Sequence, residues 1–223
     1  MKKSIYIRLP RCGSTTISYF SENNNIKFFG GRDMGFWGRD RILKNNTDPQ
    51  LYKCIINYVG KKTYDESFTF SSVRNPYSRA VSMYKHESWS SAKSFKDFCY
   101  MVKNKKYPND YSRWHSSTLI EHIALSPKLP SLSFSNILKE KVQPAFSLSK
   151  FSNLQVDFVV KLENLQDDMN IVCDKLEIPH RKFSQKNKSE HKHYTEYYND
   201  ETKQIVAEIY AEDIKYFGYK FGQ

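Results

Sequence analysis

The sequence lacks any apolar run long enough to span a bilayer. Its basic start, Met1-Lys2-Lys3, is followed by a stretch too short and too polar for the apolar core of a signal peptide. These absences lead to the expectation of a soluble, cytoplasmic protein with no stable membrane insertion. Cysteine is scarce: Cys12, Cys54, Cys99 and Cys173 are the four. None forms a C-x-x-C pair, and their spacing suggests no metal site. Isolated buried thiols in a reducing compartment account for them, and no metal is expected. No internal repeat and no long linker interrupts the chain.

Acidic residues are outnumbered: 24 Asp and Glu face 35 Lys and Arg, for a formal net charge of +11. That balance favours anionic partners such as nucleotides, nucleic acid, acidic polysaccharide or a membrane surface. The lysines are scattered and not gathered in one block, so solubility accounts for the charge about as well. Hydrophobic residues reach only 39%, but 16 Tyr and 15 Phe can build a core where Leu and Val are sparse. The 223 residues suffice for one α/β domain with a substantial core and would be tight for two, so residues 1–223 are expected to form a single domain.

Residues 4–9 have the β-branched and aromatic content of a strand, and Pro10 stops it. Gly13 permits a tight turn, and Ser14, Thr15 and Thr16 can cap a helix running into Ile17 and Phe20. Strand, small basic loop and helix N-terminus together make a phosphate cradle, and they also fit an ordinary capped turn. Ile26-Lys27-Phe28-Phe29 reads as a second short strand. Asp48-Pro49 starts a helix with apolar positions at Leu51, Cys54, Ile55 and Tyr58, closed by Gly60. Residues 67–73 alternate at period two and lead into Arg74; Asn75-Pro76 then opens a helix to Tyr84. Further helices are expected over 90–102, 165–176 and 200–217, with a strand over 156–162. Residues 111–140 are the least regular part, apart from a helix around Leu119, Ile120 and Ile123, and a substrate loop fits best there.

Strands alternating with helices predict an α/β fold, a central parallel β-sheet flanked by helices. Arg11 and Arg74 then stand on turns at the C-terminal ends of two strands, where open α/β sheets bind their ligands. Two anion sites on one edge suit a ligand with two separated anionic groups.

The run Pro10-Arg11-Cys12-Gly13-Ser14-Thr15-Thr16 resembles the 5′-phosphosulfate loop of sulfotransferases, which usually reads P-K-x-G-[ST]-T. Residues 70–84, with Val73-Arg74-Asn75-Pro76-Tyr77, Arg79, Ser82 and Tyr84, resemble that family's 3′-phosphate motif. Residues 156–165 are similar to the V-D-F-V-G-R-x-E-N-L segment of its carbohydrate branch, and residues 213–219 to that branch's D-x-x-x-F-G-Y ending. The matches come in family order and span nearly the whole chain. The resemblance implies a sulfotransferase of P-loop, nucleotide-kinase-like architecture. Its donor would be 3′-phosphoadenosine 5′-phosphosulfate (PAPS), and its acceptor a glycan or other small hydroxylated molecule. Neither metal nor nucleic acid is expected.

Residue by residue, the resemblance puts the 5′-phosphosulfate on Arg11, Cys12, Gly13, Ser14, Thr15 and Thr16, and the 3′-phosphate on Arg74 and Ser82, with Lys188 assisting. A guanidinium fork suits a phosphate bidentately. Arg11 stands where the family usually has Lys; it can neutralise the leaving group, but with a pKa above about 12 it gives up no proton. Arg79 reads as structural or as a rim residue. Related carbohydrate enzymes carry H-x-x-P-Q before the V-D-F segment, but here the stretch is Lys141-Val142-Gln143-Pro144-Ala145, so the His and the Gln are missing. His115 is the candidate general base, since imidazole titrates near neutrality. His86, Glu87, Asp33 and Asp40 are its rivals. Two other classes compete. A P-loop ATP/GTP-dependent kinase would need G-x-x-x-x-G-K-[ST], which is absent. A noncatalytic polyanion-binding protein would need basic residues interleaved with aromatics on one face, and residues 103–111 offer only a weak version.

Overall fold

The computed structural model describes residues 3–23, 59–109, 112, 115–123, 156–183 and 192–223. The strand expected at Ile26 to Phe29 and the helix expected after Asp48 lie outside the described residues, as do Cys54, Asp33, Asp40 and Lys188.

Among the described residues, three strands form one parallel sheet in the order β1 (Ser4–Ile7), β2 (Phe68–Val73), β3 (Phe158–Lys161). Ser4 pairs with Phe68 and Phe70 with Phe158, which puts β2 in the middle. Parallel neighbours need crossovers, and helices supply covers for both faces. The helices are α1 (Ser14–Asn23), α2 (Lys61–Asp65), α3 (Pro76–Tyr84) and α4 (Phe95–Lys103). They continue with α5 (Leu119–Ile123), α6 (Leu165–Leu176), α7 (Asp200–Ile209) and α8 (Ala211–Phe217).

Strand alternation sorts the core. Ile5, Ile7, Val73 and Val159 face α5 and the C-terminal Phe217 and Tyr219. Tyr6, Phe70, Phe158 and Val160 face the other way, onto Ile17 and Phe20 of α1 and Met169, Val172 and Leu176 of α6. Each such side chain contributes roughly 1.5–3 kcal/mol when fully buried. A third, aromatic-rich cluster, with Trp89, Phe95, Phe98, Tyr194 and Tyr210, joins α3, α4 and α7.

The strand expected over residues 67–73 forms as β2, and it is buried on both faces, serines included. Its hydroxyls are satisfied inside the sheet: Ser71 Oγ donates to the Ile7 carbonyl at 2.7 Å, and Ser72 Oγ meets the Tyr6 hydroxyl at 2.6 Å. Serine at these positions replaces apolar bulk without leaving an unpaired polar group. Other boundaries shift for local reasons. α4 begins only at Phe95, because Ser94 Oγ accepts the Asp97 N–H and fixes the N-terminus there. The last expected helix divides at Tyr210 into α7 and α8. Its phenol donates to the Ser116 carbonyl at 3.0 Å, and Asp213 accepts the Leu119 and Ile120 N–H groups at 2.8 and 3.0 Å. The divided helix thereby caps α5 and pins the segment before it.

Candidate active site

The first turn is shaped by two left-handed residues. Arg11 sits at φ 62° and Gly13 at φ 76°. The positive φ favours glycine at position 13, and a β-carbon there would also make the Leu162 methyl shift. α1 starts immediately after, with the Ile17 N–H donating to the Gly13 carbonyl at 3.3 Å. The preceding backbone N–H groups therefore stand at a helix N-terminus at the C-terminal end of β1, where an anion is favoured. Cys12 is fully buried and its thiol donates to the Pro10 carbonyl at 3.4 Å. Burial pushes that thiol up to about 12, so Cys12 offers its backbone and not a thiolate.

The second turn follows β2. Asn75 caps α3 through its side chain, accepting the Tyr77 N–H at 3.1 Å, and Pro76 takes the first helical position. The Asn75 N–H donates to Glu163 Oε1 at 2.7 Å, and its amide donates to the Lys220 carbonyl at 2.8 Å. Glu163 also accepts the Tyr219 hydroxyl at 3.2 Å. Two segments that look family-like in the sequence, around Glu163 and around Tyr219, thus brace the turn that carries Arg74. Arg74 Nε donates to Ser78 Oγ at 3.0 Å, one helical turn on. Burial pulls the pKa of Arg74 down from its ordinary value, while the neighbouring Glu163 charge opposes that.

The two turns meet. Arg11 Nε donates to Ser82 Oγ at 3.1 Å, and Arg74 Nη1 reaches the Arg11 carbonyl at 3.5 Å. Arg11, Ser82 and Arg74, which lie far apart in sequence, are therefore brought together. The pairing differs in detail from the simplest expectation: Ser82 holds Arg11, while Ser78 orients Arg74. The i, i+4 spacing from Arg74 was the sequence signal for Ser78.

Arg79 is structural. It is wholly buried, and its guanidinium donates to the carbonyls of Pro10 at 3.2 Å, His115 at 2.7 Å and Ser117 at 3.0 Å from each terminal nitrogen. It ties the first turn to residues 115–117. The His115 ring is only 2% exposed and packs edge-on against His86, with centroids 5.2 Å apart. His86 is half-buried. Its Nδ1 lies 3.2 Å from the Ser88 N–H and 2.9 Å from Ser88 Oγ. Burial, then the positive charge of Arg11, lowers the His86 pKa; Glu87 partly opposes them. Two of the candidate bases are thus neighbours, and one of them feels the charge at the first turn. Glu87 is exposed. Among the described residues no cluster of three or more His, Cys, Asp or Glu side chains could hold a metal.

No curated protein and no solved structure gives a significant match to this chain. The model of the sulfotransferase family matches residues 2–220. The chain belongs to the sulfotransferase family, and it is accordingly a PAPS-dependent enzyme of sulfuryl transfer.

Proposed function

We propose that this sulfotransferase moves a sulfuryl group from PAPS to a hydroxyl, or an amine, of a carbohydrate-like acceptor by in-line displacement. The observation that supports this best is the meeting of the two basic turns through Arg11, Ser82 and Arg74 at the C-terminal ends of parallel strands. A donor with a phosphosulfate at one end and a phosphate at the other matches two adjacent anion sites. When bound, it supplies a sulfuryl group already activated by a phosphate leaving group.

In this reading the backbone N–H groups from Cys12 to Thr16 and the hydroxyls of Ser14, Thr15 and Thr16 hold the phosphosulfate. Arg74, aimed by Ser78, and Ser82 hold the 3′-phosphate, with Lys188 as a further cation. Arg11 carries a permanent charge and stabilises the negative charge that grows on the leaving phosphate. His115 or its neighbour His86 takes the acceptor proton. The carbohydrate-like acceptor rests on the resemblance of residues 156–165 and 213–219 to the carbohydrate branch. Unbonded, buried Cys12, Cys99 and Cys173 support a reducing, cytoplasmic setting. The test is transfer of labelled sulfate from PAPS to unsulfated chondroitin or heparosan. Label should enter a polysaccharide with one 3′-phosphoadenosine 5′-phosphate (PAP) released per sulfate. Absence of PAPS consumption with both glycans would contradict the carbohydrate reading.

A further inference from the structure

We propose that Glu163 and Tyr219 are positioning residues for the donor's 3′-phosphate: together they set the direction of Arg74, and with it the preference for a nucleotide that carries that phosphate. This rests on the donor site described above. The peptide unit that joins Arg74 to Asn75 is the one Glu163 holds, through the Asn75 N–H at 2.7 Å. The ladder between β2 and β3 ends with Val73 opposite Lys161, one residue short of Arg74. A side chain thus takes over where the strand pairing stops. Asn75 is wholly buried, so water does not stand in for the carboxylate there.

Glu163 is held in its turn. It lies on the short turn Leu162–Asn164 that follows β3, and while its Oε1 faces Asn75, its Oε2 accepts the Tyr219 hydroxyl at 3.2 Å. Burial, with the Glu163 charge beside it, pushes the Tyr219 phenol well above its ordinary pKa, so it remains a donor. The Tyr219 N–H donates to the Ile214 carbonyl at 3.0 Å. Lys161 Nζ lies 5.2 Å from the Tyr219 ring centroid and donates to the Phe217 carbonyl at 2.8 Å. The next residue, Lys220, offers its carbonyl to the Asn75 amide at 2.8 Å. The turn of Arg74 is therefore gripped twice, through its backbone by Glu163 and through the Asn75 side chain by the segment after α8.

A guanidinium that meets phosphate oxygens with two parallel N–H groups is sensitive to its aim. Ser78 fixes Arg74 Nε, but that bond selects a side-chain direction on a backbone already placed. Tilting the peptide between residues 74 and 75 would swing the whole side chain off the phosphate and leave the first turn and α1 where they are. The loss should therefore fall on the 3′-phosphate and spare the adenosine 5′-phosphate part that PAP shares with ADP. The Glu163 charge itself opposes a phosphate nearby. What Glu163 contributes is geometry, and an amide of the same length should serve as well.

The experiment titrates PAP and ADP by calorimetry into the full chain and its variants, and it needs no known glycan. Glu163→Ala should lose roughly 10-fold in PAP affinity, about the value of one hydrogen bond, with ADP affinity unchanged. Glu163→Gln keeps an oxygen for the Asn75 N–H and offers an N–H to the Tyr219 oxygen, so it should stay within about 3-fold of wild type. Tyr219→Phe keeps the ring and loses only the hydroxyl; it should lose about 3-fold for PAP alone, and it decides the matter if Glu163→Ala does not fold. In the Arg74→Ala background these losses should shrink below about 2-fold, because the two residues act through Arg74. A role in stability alone would give the same loss with or without Arg74. The assignment is overturned if Glu163→Ala or, failing that, Tyr219→Phe keeps the wild-type PAP affinity, or if Glu163→Gln falls as far as Glu163→Ala. It is equally overturned if ADP affinity falls with that of PAP, or if the losses persist without Arg74. If wild type binds PAP no more tightly than ADP, the donor site itself fails instead.

Discussion

Replacing Arg79 tests the claim that one buried guanidinium sets the first turn against the segment of His115. The side chain is wholly buried and makes four hydrogen bonds to the carbonyls of Pro10, His115 and Ser117. Arg79→Met keeps much of the apolar stem and takes the guanidinium donors from the His115 and Ser117 carbonyls, while the Pro10 carbonyl keeps the Cys12 thiol. A buried acceptor that loses its donor costs about 1–3 kcal/mol, so the gross loss over two acceptors is roughly 2–6 kcal/mol. Removing the charge also removes its desolvation cost, several kcal/mol in a real interior, which offsets part of that loss. A net destabilisation of about 2 kcal/mol is expected, a sizeable share of the roughly 5–15 kcal/mol that holds a typical domain. Arg79→Lys, with one ammonium for three separated carbonyls, should fall between wild type and Met. Urea unfolding followed by tryptophan fluorescence measures the change, read from the midpoint at constant slope. A loss under about 1 kcal/mol for Arg79→Met would refute the view of Arg79 as the bolt.

Other substitutions probe neighbouring parts. Gly13→Ala forces a side chain into φ 76° and against Leu162, so thermal melting should show about 1–3 kcal/mol of destabilisation. Gly13→Ala with Leu162→Ala should recover only the part due to the collision, because the backbone strain remains. Ser72→Ala leaves the Tyr6 hydroxyl without its partner inside the sheet and should cost about 1–3 kcal/mol in urea unfolding, whereas Ser72 replaced by Thr should cost less. The lowered pKa of His86 predicts a definite slope. The unfolded chain binds its proton near the ordinary 6.5, and the folded chain binds it only at lower pH. The His86 contribution to stability is therefore full above 6.5 and is lost as pH falls through the folded value. The urea midpoint of wild type should drop more between pH 7.5 and 5 than that of His86→Gln, and equal drops would contradict the assigned shift.

The sheet was legible because its strands carry β-branched and aromatic residues and end at sharp punctuation: Pro10 after β1, Asn75-Pro76 after β2, and Glu163-Asn164 after β3. That Arg11, Ser82 and Arg74 would lie near one another was legible because both basic turns are local strand-turn-helix motifs. What stayed hidden depends on contacts across the chain. Nothing local to residues 67–73 says that a serine-rich alternating strand will be central; only the Tyr6 and Ile7 partners make that tolerable. Asp213 looks like one more acid on a helix, yet it caps α5 more than ninety residues away in sequence. The packing of His86 on His115 is of the same kind, since their spacing of 29 residues carries no motif.

The central claim is that two basic turns form one site for a nucleotide with two separated anionic groups. The direct measurement is calorimetric titration of PAP and of ADP into wild type and Arg74→Ala. A charged hydrogen bond is worth about 1.5–3 kcal/mol, so PAP should bind wild type roughly 10- to 150-fold more tightly than ADP, and Arg74→Ala should erase most of that difference. Equal affinities for PAP and ADP, or a PAP preference that survives in Arg74→Ala, would contradict the account.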